Sequence, residues 1–274
     1  MTDEQISTAV WQDCFLGGID GLLPRGETPA RPGVLDALWF DTTKTPSIPV
    51  QSVRLETTPQ EFGHLLAALE RRELDADEPS TDRPLVLGVS SSVRGEGKTT
   101  VALHLALTVA RDTFKRVCLI DLSLTGDAVA DRLGVTRMGG LVPAMEDESS
   151  SGSEDRIPAL RFCDLDNLVV IPAGRAPKQP RKLARSPRVA EMIAAAREAF
   201  DVVVVDMPPV DSDNALPLVR LVDGVVMVAR AGATPADVVA AAIDSLGRER
   251  VVGLVMNRVR SHIPVWLRRW LGAR

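Results

Sequence analysis

Three features of this sequence are spaced for polyphosphate chemistry. One is a lysine and a threonine directly after two glycines, in Gly95-Glu96-Gly97-Lys98-Thr99-Thr100. The others are two aspartates that close apolar runs: Asp121 after Val117-Cys118-Leu119-Ile120, and Asp206 after Val202-Val203-Val204-Val205. A glycine-rich turn that opens a helix aims consecutive backbone N–H groups at one point, and the helix N-terminus adds the positive end of its dipole. Phosphate is the natural occupant. Lys98 would reach the terminal phosphates of a nucleotide such as ATP, and the Thr99 hydroxyl would ligate Mg2+. Carboxylates would hold the cation directly or through water. Asp206 suits that task, and Asp121 is a second carboxylate able to orient or deprotonate an attacking group. Lys98, Asp121 and Asp206 are therefore the candidate catalytic residues, and Thr99, Asp121 and Asp206 the candidate metal ligands. A carboxylate at a strand end has another use, capping the next helix, and that alternative stands for both aspartates.

The elements that must position these groups are legible from pattern. Leu85-Val86-Leu87-Gly88-Val89 reads as a strand leading into the loop, and Thr99–Asp112 as a helix leaving it. The strict phosphate-loop pattern wants glycine five residues before the second glycine, where this chain has Ser92. Val117–Asp121, Leu168–Pro172, Val202–Asp206, Val225–Ala229 and Val251–Met256 read as further strands, with helices expected over Asp127–Leu133, up to about Phe200, and over Pro235–Leu246. Alternation of strand and helix implies a mainly parallel sheet with right-handed crossovers, whose ligands bind at the carboxyl ends of the strands. Residues 90–100, Asp121, Asp206 and Asn257 all fall at such ends, so one cleft is expected.

Outside this block the chain is less regular. Residues 1–50 are broken by glycine and proline and read as a weakly structured extension. A short strand is expected at 51–57, then a helix capped by Thr58 with Pro59 in its first turn. Residues 75–84 read as an acidic linker, and Glu146–Asp155 as an acidic, serine-rich loop. The basic stretch Lys178–Arg188 could meet an acidic partner or nucleotide phosphates, or simply be a solvated loop. The 274 residues carry a net charge of -5, which argues against a general nucleic-acid binder. Cys14, Cys118 and Cys163 are too few and too scattered for a disulfide framework, which fits a reducing cytoplasm. No run approaches the ~18 apolar residues that span a bilayer. There is no tyrosine.

Gly95-Glu96-Gly97-Lys98-Thr99, Ile120-Asp121 and Asp206-Met207-Pro208-Pro209 together resemble the nucleotide motifs of the bacterial tyrosine kinases of capsule and exopolysaccharide synthesis. Val170-Ile171-Pro172-Ala173-Gly174, Leu183-Ala184-Arg185-Ser186, Leu221-Val222-Asp223-Gly224-Val225-Val226 and Val255-Met256-Asn257-Arg258-Val259 extend the resemblance to about residues 51–260. It implies an α/β P-loop NTPase domain over 51–260 that binds ATP with Mg2+. Arg94, Gly95, Glu96, Gly97, Lys98, Thr99 and Thr100 would line the phosphates, and Asn257 and Arg258 would lie near the base. The MinD/ParA group resembles it less, since its signature lysine position is Val93.

Departures from the family pattern shape the functional expectation. The second motif, Asp-x-Asp-x-Arg, reads Asp121-Leu122-Ser123-Leu124-Thr125. The segment that builds the family's rings falls on Glu61, His64 and Ala67 and lacks both arginines, so oligomerisation is left open. The tyrosine cluster is replaced by a basic, amphipathic tail, residues 261–274, with Trp266, Leu267, Trp270 and Leu271 on one side. Such a tail suits a membrane surface, an acidic partner, or its own domain. The resulting expectation is a Mg-ATP-binding, kinase-like regulator at the cytoplasmic face of the cell membrane, partner of a membrane polysaccharide copolymerase or export protein. Two alternatives are an active tyrosine kinase acting in trans and a MinD-type positioning ATPase.

Overall fold

The computed structural model describes residues 47–48, 84–126, 128–135, 139–146, 159–162 and 165–259. The strand at 51–57, the helix after Thr58, Glu61, His64 and Ala67, the acidic residues 147–155 and the tail 261–274 lie outside the described residues. Of the N-terminal extension, Ser47–Ile48 is described.

Among the described residues, eight strands form one sheet: β1 (Ser47–Ile48), β2 (Leu85–Ser91), β3 (Val117–Asp121), β4 (Leu160–Phe162), β5 (Leu165–Ile171), β6 (Val202–Asp206), β7 (Gly224–Arg230) and β8 (Val251–Asn257), in the order β1-β4-β5-β3-β6-β2-β7-β8. Every neighbouring pair is parallel except β4 with β5. The helices are α1 (Lys98–Asp112), α2 (Ala128–Leu133), α3 (Leu141–Glu146), α4 (Pro180–Ala184), α5 (Pro187–Ala199), α6 (Ala215–Val219) and α7 (Ala236–Leu246). The mainly parallel α/β expectation is met. The sequence reading did not include β4 or the short helices α3, α4 and α6. Glu146 closes α3 rather than opening a loop, and α4 with the start of α5 occupies much of the basic stretch Lys178–Arg188.

Both faces of the sheet are covered, which is why its central strands are continuous apolar runs without alternation. Val203 and Val205 belong to one core with Met192, Ile193 and Leu218. Val202 and Val204 belong to the other, with Leu103, Leu105 and Val109 of α1. Helix α1 is buried along nearly its whole length, so its small residues Ala102, Ala106 and Ala110 serve close packing on the sheet.

At the end of the sheet away from Asp121 and Asp206, Asp201 ties β6 to the start of β3. Its Oδ2 accepts from the Arg116 backbone N–H at 2.7 Å and its Oδ1 from Arg116 Nη2 at 2.7 Å. The hydrogen bond from the Arg116 guanidinium holds the Asp201 carboxyl below its ordinary range. Asp201→Ala is expected to cost about 1–2 kcal/mol in urea unfolding near neutral pH, discounted for partial exposure. Because the folded-state value is depressed, the difference between the two proteins should fade as pH drops through it.

Candidate functional site

The site forms where three neighbouring strands end. Asp121 and Asp206 stand directly opposite each other in the β3–β6 pairing, and Val89 of β2 is opposite Asp206 on the other side. Beyond β2 the chain turns through Ser92–Gly97 into α1. Gly95 and Gly97 have φ of 91° and 95°, the left-handed region that glycine occupies without strain. A Cβ at Gly97 would also displace the Asn257 amide from its place against the loop. The loop is fastened to the segment after β6: Met207 N–H donates to the Val89 carbonyl at 2.9 Å, Val210 N–H to Ser91 at 2.8 Å, and Asp211 N–H to Ser92 at 3.2 Å. The Ser90 hydroxyl donates to the Pro208 carbonyl at 2.8 Å.

Helix α1 begins on Gly97 with no side-chain cap. Its first N–H groups therefore remain the anion-binding kind of helix terminus. Lys98 and Thr99, its first two residues, are both buried at 7% exposure beside the aspartates.

The two aspartates differ in what they do. Asp121 Oδ1 accepts from the Ser123 N–H at 3.0 Å, and Oδ2 from the Val129 N–H at 2.9 Å, so this carboxylate caps α2. Asp206 is fully buried, and neither of its oxygens has a hydrogen-bond partner among the described residues. The Thr99 hydroxyl is near enough to favour its ionised form without completing a well-formed bond. Burial, then the neighbouring Asp121 charge, pushes the Asp206 carboxyl up to about 7, against a smaller pull from Lys98. Burial likewise raises Asp121, opposed by its backbone donors and, more weakly, by Lys98. An orphaned, buried carboxylate is costly unless something outside the protein completes it. With a hydroxyl and a lysine beside it, a hard divalent cation carrying phosphate fits.

The other expected residues take varied places. Arg94 is exposed, Thr100 half-buried at the start of α1, and Arg258 exposed with φ of 57°. Asn257 does reach the site, and its Nδ2 donates to the Glu96 carbonyl at 2.8 Å. Its Oδ1 accepts from the Arg258 N–H at 2.8 Å. Glu96 is 1% exposed, with its carboxylate turned into the protein: Oε2 accepts from the Val93 N–H at 2.8 Å and Oε1 from the Arg230 N–H at 3.1 Å and from the Thr234 hydroxyl. Thr234 and Arg230 were not singled out from the sequence. No local signal distinguishes a threonine after a strand from any other, and only the fold brings it to the loop.

The model of the ParA family, described as the NUBPL iron-transfer P-loop NTPase, matches residues 84–264. Tyrosine-protein kinase YwqD of Bacillus subtilis (strain 168) is 31% identical over 172 residues, covering 62% of this chain and 70% of YwqD. Succinoglycan biosynthesis transport protein ExoP of Rhizobium meliloti (strain 1021) is 30% identical over 182 residues, 63% of this chain but 22% of ExoP. Among solved structures, the kinase domain of VpsO superposes with a TM-score of 0.58 at 26% identity, covering 73% of this chain and 98% of that domain.

Proposed function

This chain belongs to the P-loop NTPases of the bacterial tyrosine kinase family, and from that premise we propose that it is a Mg-ATP-binding, kinase-like regulator of capsular or exopolysaccharide synthesis or export, working with a membrane polysaccharide copolymerase. The observation that carries the nucleotide part is the unpartnered, buried Asp206 carboxylate beside Lys98 and Thr99 at an uncapped helix N-terminus. Backbone N–H groups of the loop and Lys98 would hold the phosphates, and Thr99 and Asp206 would hold the cation. Magnesium, when bound, neutralises charge on the β- and γ-phosphate oxygens. Asp121, already engaged by two backbone donors, would orient the loop before α2 and lend negative charge to the cation site. ExoP's name and family membership support the polysaccharide setting. Among the described residues no helix is long and apolar enough to cross a membrane.

These 274 residues contain no tyrosine, so the chain cannot phosphorylate itself on tyrosine within them. The kinase names of its relatives favour a second reading, phosphotransfer to tyrosine on another protein. Incubation with Mg2+ and γ-labelled ATP separates the two. A regulator is expected to bind ATP, release inorganic phosphate slowly, and leave a tyrosine-containing peptide unlabelled. Label on the peptide that disappears with Lys98→Met would establish the kinase in trans.

A further inference from the structure

We infer that Glu96 is a positioning residue whose buried carboxylate ties the phosphate loop to Arg230–Thr234, so that nucleotide affinity depends on the Thr234 hydroxyl. The inference rests on the nucleotide reading above and concerns how this chain holds its loop in the binding shape.

A carboxylate inside a loop that receives an anion is electrostatically adverse. Here it is also 1% exposed, and so removed from the water that would otherwise screen it. Its orientation resolves the conflict. One oxygen accepts from Val93 within the loop at 2.8 Å. The other accepts from the Arg230 N–H, at the end of β7, at 3.1 Å, and from the hydroxyl of Thr234, which is 138 positions further along the chain. Three donors converge on a group that can only accept. The backbone of the same residue is held from another strand, because the Asn257 amide, at the end of β8, donates to the Glu96 carbonyl at 2.8 Å. That amide also lies where a Cβ on Gly97 would be. The stretch of the loop that enters α1, Glu96-Gly97, is thus clamped from the ends of β7 and β8, immediately before Lys98 and Thr99.

Clamping fixes the loop before a nucleotide arrives, which removes an ordering cost from binding. It also makes the carboxylate, rather than an amide of equal size, necessary. In Glu96→Gln one end of the side chain becomes an NH2 group. It must face either the Val93 N–H or the Arg230 N–H, donor against donor, so one arm of the clamp opens even where the Thr234 hydroxyl turns to accept.

The sign of the effect separates this role from a simple charge. If Glu96 acted only by its negative charge, Glu96→Gln would tighten Mg-ATP binding. As a clamp it should weaken binding, by about 10-fold for a lost charge-assisted bond. Calorimetric titration of the full chain with Mg-ATP reads this directly. Thr234→Val is expected to weaken binding about 5- to 10-fold, and Thr234→Ser, which restores the hydroxyl, to return it to within about twofold. The double variant Glu96→Gln/Thr234→Val should be little worse than Glu96→Gln alone, as residues in one network are non-additive. In hydrogen exchange, Mg-ATP should slow the Arg230–Thr234 amides in the unmutated chain but not in Glu96→Gln. Should Glu96→Gln fail to fold, the Thr234 pair carries the test. Equal or tighter binding in Glu96→Gln, or equal binding in Thr234→Val and Thr234→Ser, overturns the inference alone. No Mg-ATP uptake by the unmutated chain overturns the nucleotide reading and the clamp with it.

Discussion

Lys98→Met is expected to weaken Mg-ATP binding by at least about 100-fold and to make the nucleotide-free protein less stable in a pH-dependent way. The first effect follows from removing a largely buried cation from a polyphosphate site, where the loss of one member of a charged pair costs roughly 2–5 kcal/mol. The second follows from its neighbours. Lys98 favours the ionised forms of both Asp121 and Asp206, so without it two facing carboxylates remain with less compensation. That loss matters only when they are ionised. At pH 5, well below the value near 7 to which Asp206 is raised, the variant should melt close to the unmutated chain. At pH 8 it should melt several degrees lower. Calorimetric titration with Mg-ATP and melting curves at the two pH values check both parts. Binding retained within a few-fold, or a melting difference independent of pH, would mean that Lys98 does not share a site with the aspartates.

Much of this site was legible because its parts are regular. Val117–Asp121 and Val202–Asp206 announce themselves as buried parallel strands, and a carboxylate that ends such a run must emerge at the carboxyl edge of the sheet. The glycines before Lys98 likewise forecast the loop, whose Gly97 does adopt the left-handed conformation. What stayed hidden depends on contacts rather than on pattern. Helices α4 and α6 have five residues each, too few for a 3.6-residue period to show. Strand β4, with three, owes its place to pairing with β5. Asp121 could be read from sequence as either a base or a helix cap, and only the positions of the Ser123 and Val129 N–H groups give it the cap. Glu96 illustrates the general difficulty: its type and position suit a ligand contact, but its donors come from β7 and the segment after it. Ser92, standing where the motif wants glycine, has a buried hydroxyl without a hydrogen-bond partner among the described residues.

The orphaned Asp206 carboxylate leads to the other large effect, in which lost function should come with gained stability. Its folded-state value, about 7, lies above the ordinary 3.8. The folded chain therefore holds this proton more tightly than the unfolded chain does. The associated stability is fully present below about pH 4 and is lost as pH rises through 7, and a shift of that size corresponds to about 4 kcal/mol. Asp206→Asn removes the charge while keeping the shape. At pH 8 the nucleotide-free variant should melt about 10 °C above the unmutated chain, and at pH 4 the two should nearly coincide. The same substitution takes away the carboxylate that would face the cation. Mg2+ should then no longer strengthen ATP binding in the variant, whereas in the unmutated chain its benefit should grow as pH rises towards 7, because proton and cation compete for one group. Differential scanning calorimetry over pH 4–8, with and without Mg-ATP, reads both halves. An Asp206→Asn protein that melts lower at pH 8, or that still binds ATP more tightly with magnesium, would show that Asp206 is satisfied within the protein. On the proposed reading, a buried carboxylate without a partner among the described residues is kept for a charge that arrives from outside, and the stability forgone at neutral pH is the cost of keeping it.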